Sequence, residues 1–347
     1  MKKKLGVLFG GQSSEYSVSL HSAGSFLKQL HSDKYDTSLI GIAQDGTFYL
    51  YEGDIDHIEH DNWKEGARVI AWIPGGFVTI DDGKKHPLDV VFPVLHGKNG
   101  EDGSMQGLLQ VLDLPYVGCD VLSSAMCMDK EVMHQICQVE DIPAAEWISL
   151  HEGEKQPSFE EIKEKLPLPW VVKPCNAGSS YGVHFVETRE QFEDAVKDAF
   201  FYDGRGKVLV EKAVEGFEIG CAVMGNNDVF AGNVDEIETN APIFDFDGKY
   251  QMVGSAIYCP ARIGQEKRDE ARALAKKVYK ALNCSGMARV DMFYQPDGTI
   301  ILNEVNTIPG FTSSSRWPTM MKEAGVAFPD AIDRLIELAL EKPVGRI

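Results

Sequence analysis

Apolar positions in the first 120 residues fall into two rhythms. KLGVLFGG, TSLIGIA and LDVVFPVLHG are short, nearly continuous apolar blocks closed by glycine or polar residues, which predicts buried strands. Between the first two, SVSLHSAGSFLKQLHS sets Val18, Ala23, Phe26, Leu27 and Leu30 at near-helical spacing and predicts a helix. MQGLLQVLDL reads as a short helix and PYVG as a short strand. Strands alternating with helices predict a parallel sheet with helices on its faces. Residues 47–87 break this rhythm with hairpin-like pieces and turns at Pro74-Gly75-Gly76 and Asp82-Gly83.

A second region begins near DKEVMHQICQVEDI, a predicted helix. It continues through LPWVVKPCNAGSSYGVHFVE (strand, Gly/Ser loop, strand), the helix FEDAVKDAFFY and the strand KVLVEKAV. From about Glu211 strands dominate: FEIGCAVMG, VFAGNVDEIE, then ARVDMFY and TIILNEVN joined by the turn QPDG. The stretch RDEARALAKKVYKALNC carries Ala271, Leu274, Ala275, Val278 and Leu282 on one stripe and predicts an amphipathic helix, and FPDAIDRLIELALEK predicts another. IETNAPIFDFDGKYQMVGS is polar and turn-rich, a long loop of the kind that serves as a lid or is disordered. The fold class is therefore α/β and α+β.

The predicted hairpin is the richest chemically. A period of two puts Arg289 and Asp291 on one face of its first strand, and Glu304 and Asn306 on one face of its second. Hard oxygens of this kind suit Mg²⁺, with phosphate oxygens completing the shell; a solvated hairpin is the plainer reading. Glu15 follows a strand-ending glycine turn and precedes a helix, where it either holds a substrate ammonium or caps the helix. His96 closes an apolar strand before the glycine-rich GKNGEDG, a ligand-approach loop or only turn chemistry. Lys173 ends the strand before Gly178, Ser179, Ser180 and Gly182, either a phosphate cradle or a hairpin turn. Glu211, Lys212 and Glu218 lie around a strand end where an adenosine could sit, a weak signal alone.

Length and charge narrow the class. A chain of 347 residues suggests two or three domains. Its net charge of -19, from 53 acidic and 34 basic residues, argues against nonspecific binding to nucleic acid or an anionic membrane. The start MKKKLGVLFGG lacks a signal-peptide core, and no apolar run reaches the roughly 18 residues of a membrane span. Seven scattered cysteines without a CxxC pair fit reduced, mostly buried thiols in a cytoplasm.

Taken together, FGGQSSEYSVS, LHGKNGEDGSMQG, MDKEVMH, KPCNAGSSYGV, VEKAVEGFE, GKY, YCPAR, RVDMFY and NEVNTIPGFTSSS resemble, in order and over nearly the whole chain, the D-alanine–D-alanine ligases of the ATP-grasp superfamily. The resemblance implies an ATP-grasp fold with an N-terminal Rossmann-like parallel-sheet domain (1–122), a central subdomain (123–211) and a C-terminal subdomain (212–347) with a lid near 238–256. It implies ATP as substrate, contacted by Lys130, Lys173, Ser180, Glu211, Lys212, Glu218 and the lid's Lys249. It implies two Mg²⁺ ions, replaceable by Mn²⁺, on Asp291, Glu304 and Asn306. Glu15 matches the residue holding the first D-alanine's ammonium, and Ser179 and Tyr250 its partners in a network reaching the lid. His96 matches a residue near that substrate. Arg289 and the Gly310 N–H match the oxyanion stabilisers, and Ser315 a contact to the second substrate's carboxylate. The expected product is a peptidoglycan-precursor dipeptide made through a D-alanyl phosphate, by a cytoplasmic homodimer paired through its N-terminal region.

One position departs from the common pattern. Arg316 follows Ser315 where the family usually has Leu or Met, and this resembles the vancomycin-resistance D-alanine–D-serine ligases. There a guanidinium reaches the second-substrate pocket, with Phe244 and Asp235 as further candidates to shape it; Tyr250, not Phe, argues against a D-lactate acceptor. The alternatives are D-alanine as acceptor, an Arg316 that only pairs with a surface carboxylate, another ATP-grasp carboxylate–amine ligase, and a catalytically silent nucleotide-binding protein.

Overall fold

The computed structural model describes residues 2–239 and 255–342. Its first sheet holds β1 (Lys3–Gly10), β2 (Tyr35–Ile42), β3 (Phe48–Tyr51), β4 (Arg68–Ile73), β5 (Gly76–Thr79), β6 (Lys85–Pro87) and β7 (Val90–Pro93), in the order β6-β5-β4-β3-β2-β1-β7. Only β2, β1 and β7 run parallel. The hairpin-like stretch 47–87 extends the sheet antiparallel from β2. The link from β2 to β3 explains the switch: Ala43–Thr47 closes as a tight turn with Gly46 at φ +86°, far too short for a parallel crossover. The predicted strand PYVG contributes a single parallel bridge, Tyr116 to Val91.

The second sheet joins β8 (Trp147–His151), β9 (Trp170–Pro174), β10 (His184–Val186) and β11 (Lys207–Lys212), in the order β10-β9-β11-β8, all antiparallel. The third joins β12 (Phe217–Gly225), β13 (Phe230–Thr239), β14 (Ser255–Tyr258), β15 (Gly286–Tyr294) and β16 (Ile300–Asn306), in the order β14-β13-β12-β15-β16. β15 and β16 are the predicted hairpin. Its turn has Gly298 at φ +84° and is closed by Gln295 N–H to Thr299 O at 2.9 Å. The two ends of the expected lid are strands paired to each other, Glu238 with Ala256 and Thr239 with Ser255. Phe244, Lys249 and Tyr250 lie outside the described residues.

Aromatic packing joins the first and third sheets. Phe311, just after the hairpin, packs tilted against Phe92, Phe26 and Trp317, with ring centroids 5.4, 6.2 and 5.6 Å away. Trp317 is fully buried and donates its indole N–H to Ala288 O at 3.1 Å. Asp333, on the predicted helix Phe328–Glu341, accepts from His31, Lys34 and Tyr35 of the N-terminal region. These contacts fix the walls between which the site lies. All seven cysteines are free and only Cys259 is partly exposed. Among the described residues no helix is long and apolar enough to cross a membrane.

Candidate active site

A cleft of about 1480 Å³ opens where the three sheets meet. Glu15, His96, Lys130, Lys173, Ser179, Ser180, Glu211, Lys212, Glu218, Arg289, Glu304, Asn306 and Gly310 line it. Asp291, Ser315 and Arg316 stand just behind that lining.

Glu15 occupies the N-cap position of the helix Tyr16–Gln29, but its side chain makes no cap bond there. The carboxylate is buried and accepts from the Ser179 hydroxyl across the cleft. Capping chemistry is thus not what its side chain performs. Ser179 and Ser180 sit at φ +51° and +58°, a left-handed conformation costing non-glycine residues roughly 1–2 kcal/mol each. Gly178 lies against the same carboxylate: a Cβ there would be in ordinary contact with Glu15 Oε2 at 3.6 Å.

His96 is buried, with both ring nitrogens engaged. Ile308 O, which only accepts, lies 3.1 Å from Nδ1, so Nδ1 carries the proton. Burial holds the ring's pKa below its ordinary value, so the ring is neutral and Nε2 accepts from Ser22 Oγ at 2.9 Å. The GEDG loop divides its labour. Asp102 accepts from the N–H groups of Asn99 and Ser104, which is turn chemistry. Glu101 instead accepts from Gly97 N–H at 2.7 Å and Ile308 N–H at 3.2 Å. His96 and Glu101 therefore grip both sides of the Ile308 peptide, two residues before Gly310. Burial and the neighbouring Glu15 charge push the Glu101 carboxyl up. The sequence reading passed over Glu101, although a carboxylate between glycines after a strand end was the available signal.

Two buried lysines face the same space. Lys130 opens the helix Lys130–Val139, donates to Ala177 O at 3.1 Å and stands 3.8 Å from Glu304 Oε2. Lys173, at the end of β9, pairs with Glu211 at 2.7 Å. Burial alone would raise the Glu211 pKa, but the Lys173 charge and a hydrogen bond from His134 outweigh it and hold the carboxyl at about 2. Lys212, next along β11, is exposed on the cleft edge.

On the hairpin, Asp291 faces Glu304 and Arg289 faces Asn306, with a bulge after Asp291. Arg289 clasps Asp291 through Nε at 2.8 Å and Nη2 at 2.7 Å, and Asn306 Nδ2 donates to Asp291 at 2.8 Å. Two carboxylates opposed across strands and an amide form a donor set that fits a divalent cation of the magnesium kind. The buried Asp291 is charge-balanced here by arginines.

Arg316 is the first residue of a helix, Arg316–Glu323, that the sequence reading did not foresee. Its guanidinium is inward and only 9% exposed. It forms a fork on Asp235 (Nε 2.8 Å, Nη2 2.8 Å), reaches Glu218 at 2.7 Å and lies 3.3 Å from Asp291. Its carboxylate partners are therefore interior, and Asp235 is wholly buried. Glu218, expected at the nucleotide, takes one of these hydrogen bonds. Ser315 Oγ bonds back to Thr312, at 3.0 Å from its N–H and 2.7 Å from its hydroxyl. It also crowds Gly310, where a Cβ would meet Ser315 Oγ at 3.2 Å. Gly220 was missed too: β12 pairs it with both Asp235 and Asp291, and an interior strand glycine signals close approach.

Two antiparallel sheets facing across a cleft lined by lysines and carboxylates, beside a parallel-containing sheet, define an ATP-grasp fold. Family models described as D-ala D-ala ligase N-terminus and C-terminus match residues 4–119 and 136–337. A D-alanine--D-alanine ligase of Thermoanaerobacter sp. (strain X514) is 44% identical over 351 residues, covering 98% of this chain and 97% of the relative. D-alanine--D-alanine ligase A of Escherichia coli (strain K12) is 40% identical, covering 98% and 96%. The VanG D-Ala:D-Ser ligase from Enterococcus faecalis superposes with TM-score 0.91 at 42% identity, covering 98% and 100%. A Bacillus anthracis D-alanine--D-alanine ligase complexed with ATP gives 0.74 at 29%, covering 98% of each chain. The chain belongs to the D-alanine–D-alanine ligase family.

Proposed function

We propose that this protein is an ATP-dependent ligase that joins D-alanine to a second D-amino acid, with D-serine as the preferred acceptor. The meeting of Glu15, Lys130, Lys173, Arg289 and Gly310 in one cleft supports the ligase reading. Glu15, buried and oriented by Ser179, binds the first amino acid's ammonium. That substrate's carboxylate attacks the γ-phosphorus of ATP, ADP departs, and a D-alanyl phosphate forms. Lys130 and Lys173 neutralise phosphate charge, so catalysis here is positioning and electrostatics. Asp291, Glu304 and Asn306 would hold Mg²⁺, which when bound supplies further neutralisation of phosphate charge. The second amine then attacks the acyl carbon, loses a proton, and phosphate leaves. Arg289 and the Gly310 N–H stabilise the oxyanion. The grip of His96 and Glu101 on Ile308 fixes the turn that presents Gly310. The product is a peptidoglycan-precursor dipeptide.

The acceptor choice rests on one observation, the inward Arg316 held by Asp235 and Glu218. A polar, charged wall beside Ser315 suits an acceptor that carries a hydroxyl better than one that presents a methyl group. The likeness to the VanG D-Ala:D-Ser ligase agrees with this reading. The names of the curated relatives point instead to D-alanine as acceptor. The deciding measurement is kcat/KM for D-serine and D-alanine as second substrate, in wild type and Arg316→Leu. The expected result is D-serine preference in the wild type and its loss in the variant. Equal preference for D-alanine in both enzymes overturns the D-serine assignment.

A further inference from the structure

Beneath the cleft a buried histidine touches no expected substrate and has so far been given no role. His134 is 2% exposed and lies on the helix that Lys130 begins, one turn further on. Residues four apart share a helix face, so this helix delivers both a cleft lysine and His134 toward β11. His134 Nε2 lies 2.7 Å from Glu211 Oε1, and Lys173 Nζ lies 2.7 Å from Glu211 Oε2. Glu211 and Lys173 line the cleft and His134 does not.

The tautomer follows from the partners. Glu211 is an ionised carboxylate and only accepts, so Nε2 carries the proton. Nδ1 is buried with no hydrogen-bond partner among the described residues, beside the Trp147 ring at 5.6 Å. The imidazole on one carboxylate oxygen leaves the other to Lys173, and so orients Glu211.

We infer that His134 is a positioning residue for nucleotide binding: its Nε2–H fixes the Glu211 carboxylate, and Glu211 in turn fixes the Lys173 ammonium toward the nucleotide. The inference deepens the proposed function and rests on its assignment of ATP to this cleft. Without the Nε2–H, one Glu211 oxygen loses its donor, and the carboxylate and its lysine take other rotamers.

The test compares the full-length wild type with His134→Leu, His134→Gln and His134→Asn. Glutamine's side-chain amide reaches close to the Nε2 position and restores a donor; asparagine is polar but too short. Calorimetric Kd for ATP is read alongside KM for ATP, KM for D-alanine and kcat. Leu and Asn are expected to weaken ATP by about tenfold, with KM for D-alanine unchanged and kcat within about twofold. Gln is expected to recover most of the ATP affinity. Equal weakening by Gln and Asn, or a fall confined to kcat, overturns the inference. If His134→Leu does not fold, the Gln–Asn comparison decides alone. A wild type that fails to bind ATP sinks the assignment of the cleft itself, whereas a wild type that binds ATP as tightly as its variants sinks only the role of His134.

Discussion

Arg316 rests on the bare Cα of Gly220: a Cβ built at Gly220 would lie 2.3 Å from Arg316 Nη2. The same Cβ would stand 2.7 Å from Asp235 Oδ1 and 3.0 Å from Asp291 Oδ1. Gly220 is in ordinary strand conformation, so alanine there carries no backbone penalty and acts by displacement alone. The guanidinium, pinned by a fork and a third carboxylate, has little room to yield. Gly220→Ala is therefore expected to push Arg316 from its seat at a stability cost of roughly 1–3 kcal/mol. On the D-serine reading kcat/KM for D-serine falls at least about tenfold, while KM for ATP holds. Steady-state kinetics with both acceptors and a melting curve check this; an unchanged acceptor ratio in a folded variant rejects it.

The hydroxyl of Ser179 reaches Glu15 from a different sheet, and it does so from a left-handed residue. Ser179→Ala removes a charge-assisted hydrogen bond of about 1.5–3 kcal/mol. The expected outcome is a rise of about tenfold or more in KM for the first D-alanine. Ser179→Gly relieves the backbone strain while losing the same bond, so it should be the more stable of the two variants and equally poor in KM. Substrate titrations paired with thermal melts separate the two effects.

How far the sequence carried the site depends on the range of the interactions involved. Asp291, Glu304, Arg289 and Asn306 were legible because a hairpin is local and a period of two fixes its faces. Lys173 and the Gly/Ser loop were legible because strand and loop are adjacent in sequence. Only part of the first sheet's topology was: the apolar blocks marked β1, β2 and β7, but the antiparallel turn after β2 hung on the five-residue link Ala43–Thr47. Of the partners of Arg316, Asp235, 81 residues away, was reached only through the resemblance, and Glu218, 98 residues away, was expected at the nucleotide instead. In the sequence His134 is one more polar residue of a predicted helix, and Glu101 one of two adjacent carboxylates in a glycine-rich loop. Each acquired meaning only from a partner far along the chain.

Acid should destabilise the fold in a defined window. Glu211 and Glu131 are both held at about 2, against an ordinary 4.5. For each, burial opposes ionisation. The Lys173 charge and His134 overcome this at Glu211, and Lys207, Ser149 and His151 overcome it at Glu131. A depressed folded pKa contributes stability that is complete above the unfolded value and is lost as pH falls through the folded one. Each group then contributes stability near neutrality that is lost between about pH 4.5 and pH 2. Urea midpoints measured across that range should decline steeply, and Glu211→Gln should flatten the decline. A Glu211→Gln curve parallel to the wild type contradicts the assignment.

Asp333 carries the docking of the C-terminal helix on the N-terminal region. His31 Nδ1 at 2.7 Å, Lys34 Nζ at 2.5 Å and Tyr35 OH at 2.8 Å all converge on its two oxygens. Lys34, His31 and Tyr35, hydrogen-bonded to it, hold the carboxyl below its usual range despite its partial burial. Asp333→Ala strands the buried Tyr35 hydroxyl and releases Lys34 and His31, at an expected cost of about 2–4 kcal/mol. The cleft lies between the regions this contact joins, because Glu15 and His96 come from one and Arg289 and Gly310 from the other. The variant should therefore lose thermal stability and also raise KM for the first D-alanine, although Asp333 touches no substrate. Tyr35→Phe removes one donor and leaves the Lys34 and His31 contacts, so its loss in Tm should be clearly smaller. Melting curves of the two variants beside D-alanine titrations decide the matter: an Asp333→Ala protein with lowered Tm and unchanged KM would place the contact outside the assembly of the site.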